Sequence, residues 1–188
     1  MVNAMEKYNE IIRASLIDFE EIKFILANNN IELISSNEIK ENYYLKNGIS
    51  LKNANYNTLI DKSYILANIN DKLYLINKEE DGISKSFTKL EIVNENECVE
   101  FLNHAGFKEA FTIEKNIYTY RNNDKYMDVI NLIGIGIFLG VRRVDSSEDE
   151  LITILDSFNL PYNDKENNIV IEKLVLNKLR RYIKWVKK

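Results

Sequence analysis

The segment from residue 132 to residue 144, LIGIGIFLGVRRV, contains three of the chain's six glycines, Gly134, Gly136 and Gly140. A G-x-G spacing can cradle phosphate oxygens when a strand precedes it and a helix begins on it. The residues that follow, IFLGVRRV, are rich in β-branched and aromatic types and predict another strand rather than a helix. This disfavours a dinucleotide site. We expect Gly134 and Gly136 to form a turn or bulge between two strands, where glycine readily adopts a positive φ.

The other residue types that commonly carry chemistry are scarce. The chain of 188 residues has one cysteine, Cys98, and one histidine, His104. They are six residues apart on one predicted helix and so on different faces, which disfavours a Cys/His catalytic pair and a Cys/His zinc site. A single cysteine also excludes an internal disulfide framework and is typical of a reducing compartment.

The bulk composition restricts the class of protein. The net charge is −4 and 45% of the residues are hydrophobic, values typical of a globular domain and unlike those of a general nucleic-acid binder. No apolar run approaches the roughly 18 residues of a membrane span, and the N-terminal segment lacks an apolar signal region. We therefore expect a cytoplasmic protein of one domain, residues 1–188.

Capping patterns and apolar periodicity predict the elements that must position any site. The predicted order begins with a strand at residues 10–17, a helix capped by Asp18, a strand ending at Asn47-Gly48 and a hairpin around Asn70-Asp71. It continues with a strand at residues 86–93, a helix capped by Asn94, two strands joined at Asn122-Asn123 and a strand after Gly136. Two helices follow, one at about residues 147–158 with a Ser147/Glu150 capping box and a last amphipathic one at about residues 168–187.

An internal repeat organises these elements. A shift of 76 residues aligns Asp18 with Asn94 and Leu26 with Leu102. The two halves, at about residues 8–80 and 86–144, each consist of a strand, a helix and three strands. Together they predict an α+β fold, in which eight antiparallel strands close into a tunnel-like barrel with outer helices and two C-terminal helices.

Three stretches link this order to a known family. FLNHAGFKEAFTIEKNIYTYR is similar to an L-x-x-L-G-F helix end followed by a K-x-R-x-x-Y strand, IGIGIF to a G-L-G-x-F turn, and LYLINK to an L-T-x-K strand. In these motifs and their order, the chain resembles the CYTH family, or triphosphate tunnel metalloenzymes, which includes class IV adenylate cyclases, thiamine triphosphatases and inorganic triphosphatases. The resemblance implies a tunnel in which glutamates hold Mg²⁺ or Mn²⁺, while arginines and lysines bind a triphosphate.

The metal-binding positions of the family depart from its pattern. Counted back from Asp18, the N-terminal E-x-E-x-K signature falls on Asn9, Ile11 and Arg13, so only the cation is kept. The E-x-E of the last strand falls on Gly140 and Arg142. We therefore expect no metal ligands and no cofactor. The alternative is an Mg²⁺ or Mn²⁺ site rearranged around other carboxylates, with Glu10 and Asp128 as candidates.

The residues left for the tunnel are cationic. They could hold a phosphate or polyphosphate without the usual metal to activate it. The predicted ligand-binding residues are Arg13, Lys78, Lys89, Lys115, Arg121 and Arg142.

Three classes of function remain open from the sequence. The favoured one is a pseudoenzyme that binds a phosphate-containing or other anionic ligand without metal-dependent catalysis. The second is an active metal-dependent triphosphatase or class IV-type adenylate cyclase. The third is a protein interaction module, with a protein partner or a homo-oligomer possible. The basic end of the last helix, NKLRRYIKWVKK, could bind nucleic acid or an anionic surface, but docking of its apolar face on the domain is favoured.

Overall fold

The computed structural model describes residues 6–29, 31–52, 55–161 and 169–186. The predicted repeat of strand, helix and three strands occurs twice, and the short α2 is an addition within the first half. In chain order the elements are β1 (Glu6–Ala14), α1 (Phe19–Asn28), β2 (Glu32–Lys46), α2 (Tyr56–Asp61), β3 (Ser63–Ile69), β4 (Lys72–Asp81), β5 (Ser84–Ile92), α3 (Glu95–His104), β6 (Phe107–Asn122), β7 (Lys125–Leu132), β8 (Gly136–Arg143), α4 (Glu148–Ser157) and α5 (Ile171–Val186).

The eight strands form one closed antiparallel barrel in the order β1-β5-β4-β3-β2-β6-β7-β8, and β8 pairs with β1. Closure removes the free sheet edges. The two halves meet where β2 pairs with β6, where β4 pairs with β5, and where β1 lies between β5 and β8. The predicted α+β fold with a closed eight-stranded barrel is confirmed.

Local chemistry sets the ends of the elements. Asn70, Asp71 and Asn123 adopt positive φ in the turns after β3 and β6, a conformation that short polar side chains tolerate. Each of the three predicted N-caps is confirmed. The Asp18 carboxylate accepts from the Glu21 N–H, Asn94 accepts from the Glu97 N–H, and Ser147 forms a reciprocal capping box with Glu150.

Helices cover the outside of the barrel on two sides. On one side, α1 and α4 pack on β1 and β6–β8, in a cluster that we call the α1–α4 cluster; it includes Ile11, Ile22, Leu139 and Leu155. On the other side, Cys98 and Leu102 of α3 pack against β2 and β3. Helices α1 and α3 thus each cover outward-facing side chains of strands from the other half, α1 on β6–β8 and α3 on β2 and β3.

The fifth helix closes one end of the barrel. Its Val175 and Leu176 pack among apolar side chains that point into the barrel, including Ile12, Tyr43 and Phe138. The Lys178 ammonium donates to the Gly134 carbonyl at 2.5 Å, and Arg180 Nε donates to the Leu51 carbonyl at 2.9 Å. The predicted docking of this helix through its apolar face is therefore observed. Within the described ranges, no helix is long and apolar enough to cross a membrane.

Candidate functional site in the barrel interior

The direction of the β1 side chains decides which residues can line a site. Ile12 belongs to the interior cluster, whereas Ile11 belongs to the α1–α4 cluster outside. Because side chains alternate along a strand, Glu10 faces inward with Ile12, while Asn9 and Arg13 face outward with Ile11. The Asn9 amide accordingly donates to the Ser146 carbonyl at 2.6 Å, at the start of α4.

This geometry corrects the placement of Arg13. Its guanidinium is buried beneath α4 and lies 3.0 Å from the Asp156 carboxylate, outside the barrel. The count back from Asp18 is displaced by one residue, and such a displacement exchanges the two faces of a strand. Arg13 therefore does not line the tunnel, and Glu10 is the acid that the strand points inward.

A chain of ion pairs crosses the barrel interior, and we call it the interior network. Lys85 is opposite Glu80 in the β4–β5 register, and its ammonium lies 2.6 Å from Glu10 and 3.9 Å from Glu80. The Lys78 ammonium lies 3.2 Å from Glu80 and also pairs with Glu172 of α5. Tyr56 of α2 donates to Glu80. Lysines from two neighbouring strands thus neutralise acids from three different elements.

The network continues to the opposite wall. The Tyr43 hydroxyl lies 3.1 Å from Glu172 and 3.4 Å from Glu41, and Lys115 lies 2.8 Å from Glu41. Burial disfavours ionised Glu172, but Lys78 and the other lysines outweigh it and hold the pKa of Glu172 well below its usual range. Burial lowers the pKa of Lys78, but its acidic partners outweigh this and raise the pKa well above its usual value.

A second interior pair lies beside Glu10. Arg142 Nε donates to Asp128 at 2.7 Å, and the Thr119 hydroxyl lies 2.5 Å from the other oxygen of that carboxylate. Burial raises the pKa of Asp128, and Arg142 opposes the rise. The Arg142 guanidinium carbon lies 5.5 Å from the centre of the Tyr8 ring and 5.0 Å from that of Tyr126, within cation–π range.

The remaining predicted cations have different surroundings. The Lys89 ammonium lies 3.6 Å from the centre of the Tyr74 ring. Arg121 is exposed, and its Nε donates to the Asn123 carbonyl at 2.7 Å. The structure does not bring the six predicted residues into one cluster. Their role as anion ligands stays a prediction.

The expectation that the tunnel is lined only by cations is wrong. The described interior holds the acids Glu10, Glu41, Glu80, Asp128 and Glu172, and each of them contacts a lysine or arginine. The acids on β2, β4 and α5, and Lys85, were not predicted from the sequence. The alternating charges of NKEED and SKSFTK could have indicated these residues. They place Lys78 and Glu80 on the same face of one strand, and Lys85 on one face of the next strand.

The inward-facing carboxylates are the side chains that could ligate Mg²⁺ or Mn²⁺. Such ions need several oxygen ligands around one point. Among the described residues, no three His, Cys, Asp or Glu side chains are grouped so that they could hold a metal ion. Glu10 and Asp128 both face inward, but Lys85 and Arg142 already bind them.

Cys98 and His104 lie on α3, outside the barrel. Cys98 is buried in the cluster beneath α3, and burial raises the pKa of its thiol, which makes it a poor nucleophile.

An open cavity of about 590 Å³ lies at the barrel mouth where Arg142 is reached from solvent. We call it the Arg142 mouth. Asp124, which pairs with Arg143 at 2.8 Å, also lies there. The side chains that could bind a ligand in this cavity are Lys7, Tyr8, Tyr126, Arg142 and Arg143.

Comparison with known proteins establishes the fold. No protein-family model and no curated protein sequence matches the chain. The PH1012 protein of Pyrococcus horikoshii OT3 superposes with a TM-score of 0.66 at 20% identity, covering 88% of this chain and 98% of that one. An adenylate cyclase candidate from Vibrio parahaemolyticus gives a TM-score of 0.66 at 16% identity and covers 89% and 98%.

A third structure is similar over a comparable length. An adenylyl cyclase candidate from Hippeastrum, described as having a dominant triphosphatase activity, superposes with a TM-score of 0.57 at 10% identity, covering 91% of this chain and 95% of that one. At these identities the likeness concerns the fold alone. With its closed eight-stranded barrel built from two similar halves, the chain has the CYTH, or triphosphate tunnel, fold.

Proposed function

We propose that this protein is a CYTH-fold pseudoenzyme, which binds a phosphate-containing anion at the Arg142 mouth without metal-dependent catalysis. One observation carries the proposal: the inward-facing acids beside Gly140 are bound by side-chain cations. Glu10 pairs with Lys85 at 2.6 Å, and Asp128 pairs with Arg142 at 2.7 Å.

These pairs oppose metal-dependent phosphoryl chemistry. That chemistry needs a divalent ion to polarise the phosphoryl group and to organise the attacking oxygen. A divalent ion at Glu10 or Asp128 would have to compete with Lys85 and Arg142 in a buried setting. Repulsion between like charges makes this unfavourable. We therefore expect the acids to serve the interior ion pairs rather than a metal.

The Arg142 mouth supplies donors for an anion. Asp128 and the two tyrosine rings hold the Arg142 guanidinium, and a fixed guanidinium can donate two parallel hydrogen bonds to a phosphate. Lys7 and Arg143 line the same cavity and add positive charge. Asp124 and Asp145 also line it, so we expect weak binding that decreases as salt increases.

Turnover assays test the catalytic half of the proposal. Purified protein is incubated with tripolyphosphate, thiamine triphosphate or ATP in the presence of Mg²⁺ or Mn²⁺. We expect no appreciable release of phosphate and no formation of cyclic AMP. Turnover above about 1 s⁻¹, the low end of ordinary enzyme rates, would establish an active triphosphatase or cyclase rebuilt around Glu10 and Asp128.

Calorimetric titration with tripolyphosphate tests the binding half. The double variant Arg142→Gln/Asp128→Asn neutralises both members of the buried pair, so no charge is left unpaired. We expect its affinity for tripolyphosphate to fall at least about tenfold, equivalent to about 1.4 kcal/mol. Arg181→Gln, which removes an exposed arginine on α5, is the matched control and should bind as the wild type does. Equal affinity in both variants would exclude the Arg142 mouth as the binding site.

A further inference from the structure

The internal repeat relates the two sides of the barrel and reveals a difference between them. By position in the repeat, β5 is the counterpart of β1, β4 of β8, and α3 of α1. After β8 the chain forms α4, which lies across β1 and β8 beside α1. After β4 the chain turns at residues 82–83 directly into β5. Within the described part of the chain, the second side therefore has no counterpart of α4.

An open apolar groove occupies the place of the missing helix. It has a volume of about 530 Å³ and lies between α3 and the outer faces of β4 and β5. Val93 is fully exposed at its edge, and the Phe101 side chain is 65% exposed. We call this feature the α3 groove. The apolar side chains that line it are Leu75, Leu90, Ile92, Val93, Cys98 and Phe101.

The covered side indicates what would fill the groove. There, Leu151, Ile154, Leu155 and Phe158 of the α4 segment are buried in the α1–α4 cluster. These positions follow the i, i+3, i+4, i+7 pattern of a helix that lays one face on a surface. Ile25, the counterpart of Phe101 at the 76-residue shift, packs against that cluster. Phe101, by contrast, is left exposed by the residues that the structure describes.

The charge around the groove indicates the chemistry of its occupant. Glu91 and Glu97 line the groove, and Glu95 and Glu100 are exposed on α3 beside it. The α4 segment itself is acidic, with Glu148, Asp149 and Glu150 in its first turn, so a second copy of that helix would be repelled. An occupant with lysine or arginine beside its apolar face would instead be attracted.

We propose that the α3 groove binds one amphipathic helix of a partner protein, with apolar side chains at i, i+3, i+4 and i+7 and basic residues flanking them. The helix takes the position over β4 and β5 that α4 takes over β8 and β1. The binding surface is separate from the Arg142 mouth and does not depend on what the barrel interior binds.

Two synthetic peptides based on residues 146–159 test this proposal. Both keep the buried face of the α4 segment, Leu151, Ile154, Leu155 and Phe158. The basic form carries Glu148→Lys, Glu150→Lys and Asp156→Lys, and the unmodified form is the acidic control. Fluorescence anisotropy with labelled peptide measures binding to the full-length protein. We expect saturable binding of the basic peptide, with an affinity at least about tenfold higher than that of the acidic peptide.

Two protein variants locate the peptide. Phe101→Asp places a charge in the groove, and we expect it to weaken binding of the basic peptide at least about tenfold. Phe24→Asp is a matched control, because Phe24 is similarly exposed, at 68%, but lies on α1. Failure of the basic peptide to bind, or equal binding by both variants, would overturn the proposal. A dimer in sedimentation experiments that Phe101→Asp dissociates would also overturn it, since the occupant would then be a second copy of the chain.

Discussion

Gly140 shows how a single residue accommodates the interior charges. It is paired with Ile12 across β1 and β8, in the middle of a strand where glycine is normally unfavourable. A Cβ built at this position would lie 3.4 Å from Glu10 Oε1 and 3.5 Å from Ile12 Cγ1. These are ordinary contact distances, so a methyl group fits here. A larger side chain would compete with the Glu10 carboxylate for the adjoining space.

This geometry predicts a sharp dependence on side-chain size. We expect Gly140→Ala to change the free energy of unfolding by less than about 1 kcal/mol, because its methyl group fits and it restricts the unfolded chain. Gly140→Val adds two methyl groups beyond the Cβ, where Glu10 and Ile12 are already within contact distance, and should destabilise the protein by about 1–3 kcal/mol. Urea unfolding measures both. Equal stability of the two variants would show that the space above Gly140 is not filled.

The buried pair of Glu10 and Lys85 predicts a non-additive pattern of stability. Lys85→Met leaves Glu10 buried and uncompensated, a change that typically costs about 3–5 kcal/mol. The double variant Glu10→Gln/Lys85→Met removes both charges and should recover most of that loss. Urea unfolding of the single and double variants gives the coupling energy. Additive effects would mean that the two side chains do not interact in solution.

At the scale of elements, α5 is held in the barrel by a charge as well as by apolar packing. Glu172 lies in its first turn and reaches Lys78 on β4, 94 residues earlier in the chain. The pKa of Glu172 is below the ordinary value of 4.5 because its lysine partners outweigh the effect of burial. The folded protein therefore binds fewer protons at this group than the unfolded chain does.

This difference predicts an acid dependence of stability. The contribution of Glu172 is complete above pH 4.5 and is lost as the pH falls below that value towards the depressed folded-state pKa. Asp128, whose pKa is raised by burial, acts in the opposite direction and is common to both proteins compared. In urea unfolding from about pH 7 to about pH 3, the wild type should lose more stability than Glu172→Gln does. Parallel pH profiles would contradict this account of how α5 is anchored.

The elements that the sequence predicted correctly are those fixed by neighbouring residues. Asp18, Asn94 and Ser147 each cap a helix through the N–H three residues later, and Asn70 and Asp71 form a turn, so short stretches suffice to identify them. The helix α2 was missed because six residues are too few for a periodic pattern. The face of β1 was misjudged because the link to α1 is irregular, and one residue reverses inside and outside.

At the scale of the whole molecule, the two halves depend on each other. β1 from the first half pairs with β5 and β8, both of which belong to the second half, and β2 pairs with β6. Either half alone would expose edges of three strands and part of the core. We expect fragments 1–82 and 83–188 to be unfolded or aggregated when expressed separately, and to regain β structure when refolded together. Circular dichroism and gel filtration measure this. A folded, monomeric fragment would show that the halves are independent domains.

The same dependence explains why the site was harder to predict than the fold. Six cations were identified from strand patterns, but the partners of two that face the interior lie on other strands: Lys115 binds Glu41, and Arg142 binds Asp128. Whether an interior cation is available to a ligand depends on these partners. The pairing becomes apparent only when the barrel register is known.

The interior network also restricts how the barrel can close. A shift of two residues between neighbouring strands keeps every apolar side chain on its proper face, so hydrophobicity alone does not select one alignment. In the observed β4–β5 alignment, Lys78 lies opposite Phe87, and Glu80 lies opposite Lys85. A shift of two residues in one direction would place Lys78 opposite Lys85, and in the other direction opposite Lys89. Either mismatch would place two lysines opposite each other inside the barrel, so we expect these charges to disfavour misaligned barrels during folding.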